Sequence, residues 1–96
     1  MRFQIPEKLT VAGVDFKVKR VKGLGRNNSN RGEIQYFDRE IRLDPDLVAA
    51  DAEQSFIHEA AHAIDDTFAC KLSESQVKRM AHGFYQMLRQ LEAQKE

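Results

Sequence analysis

Apolar and polar positions alternate through the first half of the chain. Val14, Phe16 and Val18 are separated by Asp15 and Lys17, which predicts a strand with one face on a core. A shorter run, Leu9-Thr10-Val11-Ala12, precedes it across Gly13, and Val14 to Val21 forms the longer one. Glu33-Ile34-Gln35-Tyr36-Phe37 and Glu40-Ile41-Arg42-Leu43 alternate again on either side of Asp38-Arg39, the pattern of a hairpin. Gly23 to Gly32, rich in Gly and Asn, has the chemistry of a loop. Short connections between the runs predict antiparallel pairing.

From Asp44 the period lengthens. Asp44-Pro45 suits a helix cap followed by a first-position proline, and a fresh start near Ala50-Asp51 fits equally well. Phe56, Ile57, Ala60, Ala61, Ile64 and Phe68 recur at helical spacing, so an amphipathic helix should end near Phe68 to Cys70. Ser73-Glu74-Ser75-Gln76 then has the form of a capping box. Behind it, Val77, Met80, Ala81, Phe84, Leu88 and Leu91 make the apolar stripe of a second helix. The expected fold is α+β: a small, antiparallel-rich sheet followed by two helices packed on one of its faces, as a single domain over residues 1–96.

Composition narrows the setting more than the function. The chain is 42% apolar and 31% charged, with 15 basic and 15 acidic residues, so net charge selects no partner. Charge is unevenly spread, however: Lys17, Lys19, Arg20, Lys22, Arg26 and Arg31 occur with no acidic residue between them. Such a run is usually a solvated face, and a nucleic-acid contact through Lys17 to Arg31 is the less favoured reading. The lone Cys70 excludes an internal disulfide framework and suits a reducing compartment. No apolar run has the length of a membrane span and the N-terminal residues lack a signal-peptide core, so the expected location is the cytoplasm.

One segment carries chemistry. His58-Glu59-Ala60-Ala61-His62 is an HExxH sequence inside the first helix. Four residues advance roughly 6 Å and turn about 40° beyond a full rotation, so both imidazoles leave one face and can share a zinc ion. Glu59 stands beside the first histidine, too far round the helix to be a third ligand. It suits a general base that takes a proton from a water which zinc has acidified to a pKa of about 7. The spacing leaves the third protein ligand open. Glu74, which opens the second helix and can face the first, is the first choice, although an acidic first turn is also favoured by the helix dipole. Asp65 and Asp66 share the face of His62 and could ligate, but a carboxylate along the same helix better suits accepting a histidine N–H from behind the metal. His82 is placed on the solvated side of the second helix, where a ligand role is a further alternative.

Ile57 to Asp65, Leu72-Ser73-Glu74 and Met80 to Leu88 together resemble the short, phage-associated HExxH metallopeptidases related to the ImmA/IrrE group, the minimal gluzincins. That resemblance implies a zincin-like domain with His58, His62 and Glu74 on zinc and Glu59 as base. Ser75 and Gln76 depart from it by replacing acidic residues, and so does His82.

The expected function is zinc-dependent hydrolysis of a peptide bond in a protein or peptide substrate. The substrate would lie as an added strand along the sheet edge, for which Glu33 to Leu43 is the nearest candidate unless that run is an interior hairpin. Little chain follows His62 to build a lower wall, so the cleft should be open, with a flexible substrate or a partner completing it. The alternative is a zinc-binding regulatory or DNA-associated module with little turnover. Glu59 weighs against it, because a structural zinc needs no base and prefers four protein ligands.

Overall fold

The computed structural model describes residues 4–22, 24 and 32–94. Four strands come first: β1 (Lys8–Val11), β2 (Val14–Arg20), β3 (Gly32–Gln35) and β4 (Glu40–Leu43). Two helices follow, α1 (Ala49–Thr67) and α2 (Glu74–Gln94). The architecture is α+β, as the change of period predicts.

β1 and β2 form a hairpin in which Val11 faces Val14. Its two-residue turn places Ala12 at φ 49° and Gly13 at φ 80°, the left-handed pair that matches the twist of the flanking strands. β3 and β4 form a second antiparallel hairpin, with Ile34 opposite Ile41. The sheet order is β1-β2-β4-β3, so β4 fills the slot between β2 and β3 and runs parallel to β2. The expectation of antiparallel pairing therefore holds within each hairpin and fails between them. The Gly23 to Gly32 loop lies outside the described residues except for Leu24, which is buried, and Gly32, which opens β3. A Cβ at Gly32 would stand 3.1 Å from Leu43 Cδ2 and 3.2 Å from the Arg42 carbonyl oxygen, so this strand start has no room for a side chain.

Alternation decides which face is covered. Ile41 and Leu43 are fully buried, and Phe16 nearly so, on the side that α1 packs against. The opposite face carries a charged lattice: Arg42 pairs with Glu33 at 3.1 Å and Glu40 at 3.0 Å, and Lys19 with Glu40 at 2.7 Å. Lys19 and Arg42 hold the Glu40 carboxyl below its ordinary range through those hydrogen bonds. Part of the basic run is thereby neutralised, while Arg26 and Arg31 lie outside the described residues.

Asp44-Pro45 does not start the helix. The Asp44 carboxylate accepts the Asp46 N–H at 2.9 Å and builds a turn, and α1 begins at Ala49 after an extended Val48. The buried residues of α1 are Ala52, Glu53, Phe56, Ile57, Glu59 and Ala63, which include Phe56 and Ile57 of the expected stripe, whereas Ile64 and Phe68 are exposed. α2 packs on α1 rather than on the sheet, burying Val77, Ala81 and Tyr85. Met80, Phe84 and Leu91 from the expected stripe face solvent, because a helix resting on a single neighbour covers a narrower arc than its apolar residues span. The helix pair is tied by Tyr85, whose hydroxyl donates to buried Glu53 at 2.8 Å and accepts from Arg89 at 3.1 Å. No helix among the described residues is long and apolar enough to cross a membrane.

Candidate metal centre

Helical spacing brings His58 and His62 to one face of α1, with ring centroids 4.9 Å apart. Their Nε2 atoms are 3.1 Å apart. Glu74 arrives from α2 and meets both: Oε1 lies 2.8 Å from His58 Nε2, and Oε2 lies 2.9 Å from His62 Nε2. The possible ligand atoms of His58, His62 and Glu74 all fall within 4.8 Å of one another, so the three residues could hold a metal ion.

The chain between the helices sets this meeting. After Thr67 the backbone breaks through left-handed residues at Ala69 and Lys71, with φ 52° and 58°. Cys70 N–H donates to the Asp65 carbonyl at 3.0 Å, and Leu72 N–H donates to the Asp65 carboxylate at 2.9 Å. Ser73 and Gln76 then form the reciprocal capping box: Gln76 N–H reaches Ser73 Oγ at 3.1 Å, and Ser73 N–H reaches Gln76 Oε1 at 2.8 Å. Glu74 is therefore the first residue of α2 on a pinned turn. Asp65 serves that turn, and neither it nor Asp66 has a hydrogen bond to an imidazole among the described residues. The carboxylates expected to support the histidines are thus engaged elsewhere or exposed.

Protons alone satisfy this cluster poorly. If both Nε2 atoms keep their hydrogens, each donates to one Glu74 oxygen, and the two N–H groups then oppose each other at 3.1 Å. If one nitrogen accepts from the other instead, its lone pair faces a carboxylate lone pair. A central cation resolves both conflicts, because all the converging atoms then act as lone-pair donors. The N···N separation is close to the roughly 3.3 Å edge of a tetrahedron with ligand bonds of about 2.0–2.1 Å.

Glu59 sits about 100° round α1 from His58, where the cleft meets the sheet-facing side. It is 9% exposed. Burial, with help from the negative charges of Glu74 and Glu33, pushes its carboxyl up to about 7. Tyr36, in the turn after β3, donates its hydroxyl to the His62 carbonyl at 3.2 Å and so fastens the β3–β4 hairpin over α1. Burial raises its phenol above the ordinary value, assisted by Asp66, Glu59, Asp65 and Glu74. Reading Tyr36 only as a strand residue misses this role, since no local spacing signals a contact with a helix carbonyl distant in the chain.

A cleft of about 910 Å³ surrounds the cluster. β3 forms its upper border and α2 its lower one, while α1 is the floor. β3 is an edge strand and β4 is interior, which separates the two readings of Glu33 to Leu43. His82 is exposed, as expected, and also borders the cleft, with Nε2 3.1 Å from Gln54 Nε2. It is outside the converging group.

Comparison with family models, with curated proteins and with solved structures finds no match to this chain.

Proposed function

We propose that this chain is a zinc-dependent peptidase of the minimal gluzincin type, with His58, His62 and Glu74 as metal ligands and Glu59 as general base. The observation that carries the reading is the convergence of two imidazole Nε2 atoms and both Glu74 oxygens in an arrangement that protons satisfy poorly. Three protein ligands are also the set of a catalytic zinc, which keeps a coordination position for chemistry. Bound there, zinc would acidify a water and polarise a peptide carbonyl.

The remaining work falls to the protein. Glu59, held up to about 7, is matched to taking a proton near neutral pH and giving it to a leaving amine. β3, with one edge free of a strand partner among the described residues, would bind an extended peptide by main-chain hydrogen bonds over the cluster. The Tyr36 bond to α1 fixes that edge in height. The substrate is a flexible segment of a protein or a peptide, or a partner supplies further wall to the cleft. The exposed Cys70 thiol fits the reducing cytoplasm.

Metal analysis and hydrolysis of an unstructured protein substrate test the reading together. Wild type should carry about one zinc per chain, and His58→Ala or His62→Ala should lose most of it. Glu59→Gln should keep the metal and lose all but about a tenth or less of the activity. Full zinc in the double histidine variant overturns the proposal. Stoichiometric zinc with no turnover by wild type would replace it with the metal-holding regulatory module.

A further inference from the structure

The cleft does not end at Glu74. It continues along α2 past Lys78 to His82, where Gln54 of α1 meets His82, and Ser55 lines it beside Gly32 of β3. Glu74, Lys78 and His82 are spaced four apart, so they follow one face of α2 in steps of about 6 Å.

Lys78 is unpaired where pairing is expected. A Glu followed four residues later by Lys is the favoured order for an ion pair along a helix. Here both oxygens of Glu74 are committed to His58 and His62. No carboxylate lies within 4.0 Å of the Lys78 ammonium among the described residues. Glu33, from β3, also lines the cleft and is committed to Arg42 at 3.1 Å and to Gln35 at 2.8 Å. Gln54 bridges the two helices at this end: its amide donates to His82 Nε2 at 3.1 Å and keeps a second N–H to give. The cleft here therefore presents an ammonium, an amide N–H and the Ser55 hydroxyl; of the acids that line it, Glu74 and Glu33 are engaged and Glu59 is the buried base of the proposed centre.

We propose that Lys78, Gln54 and Ser55 form a subsite for a carboxylate of the bound peptide. The proposal rests on the peptidase reading of the cleft and specifies its substrate class. An extended peptide advances roughly 3.3 Å per residue, so a carboxylate on Lys78 belongs about two residues from the bond over the metal cluster, and one nearer His82 about four. The group is the side chain of an acidic residue or a free C-terminus, which present the same chemistry at different points of the peptide.

The test uses zinc-loaded Glu59→Gln protein, which should bind without cleaving, and labelled peptides read by fluorescence anisotropy. The peptides are identical except for Glu or Gln at each position two to four residues from the centre, each made with a free or an amidated C-terminus. Peptides with the carboxylate should bind roughly 3- to 10-fold tighter than their neutral twins at low salt. The preference should vanish in Lys78→Met and turn toward Lys-containing peptides in Lys78→Glu. Sensitivity to internal Glu identifies a side-chain subsite, and sensitivity to amidation a C-terminal one. Equal affinity for charged and neutral peptides overturns the proposal, as does an unchanged preference in Lys78→Glu or no binding of any peptide. Zinc content, measured on every variant, keeps the two readings apart. A chain that binds no zinc but still discriminates by charge through Lys78 sinks the peptidase reading and keeps the subsite.

Discussion

Glu59 occupies a position where a carboxylate is costly in the absence of a counter-charge. Its folded pKa of about 7 lies above the ordinary value of 4.5, so the folded chain takes up a proton that the unfolded chain does not hold between those limits. The destabilisation is fully present above about pH 7 and is relieved as pH falls toward 4.5. Glu59→Gln keeps the shape and removes the charge. With metal stripped by chelator, this variant should be more stable than wild type by about 1–3 kcal/mol near pH 8, with the gap shrinking near pH 4.5, as urea denaturation at both pH values will measure. An equal gap at the two values would mean that Glu59 is not the buried ionisable group. His58, Glu59 and His62 are legible in the sequence because spacings of one and four are local properties of a helix. Tyr36 and Lys78 are not legible, since the importance of each depends on a residue of another element: the His62 carbonyl for Tyr36, and the engagement of Glu74 for Lys78.

At the scale of elements, the α1–α2 connection does more than reverse the chain. Its hydrogen bonds to Asp65 and the Ser73–Gln76 box decide where the first turn of α2 stands, and Glu74 stands in that turn. Ser73→Ala removes one cap acceptor and should cost about 1 kcal/mol, a fall of roughly 4–8 °C in Tm for a chain of this size. On the proposed reading it should also weaken zinc binding, though far less than Glu74→Ala, which removes a ligand and should weaken it by orders of magnitude. Calorimetry with and without zinc checks both effects, and a cap variant that melts like wild type would show that the box contributes nothing. The box is readable because its partners are three residues apart. The start of α1 is harder, since Asp44-Pro45 satisfies the same preferences as a cap while closing a turn. Apolar periodicity likewise locates both helices without telling which arc is covered. Tyr85 is buried and Phe84 exposed because α2 has α1 on one side and solvent on the others.

Across the whole molecule, strand order is the property least accessible from spacing. Each hairpin follows from its short connection, but nothing in either run of alternating residues says that β4 will insert beside β2. Ile41 and Leu43 occupy that inserted strand at 0% exposure, with neighbours on both sides. Their amides should exchange with solvent only through global unfolding, whereas amides at the outer edges of β1 and β3 exchange through local opening. Hydrogen exchange followed by NMR checks this against the free energy from denaturation, and faster exchange at Ile41 than at Thr10, whose N–H points out from the edge, would contradict it. The inserted strand also matters during synthesis. A chain emerging from the ribosome can close the β1–β2 hairpin at once, yet the other edge of β2 waits for residues 40–43, made after β3. Until they arrive, the nascent sheet carries an open edge that any second strand could occupy, and the β3–β4 hairpin must enter as a unit to seal it.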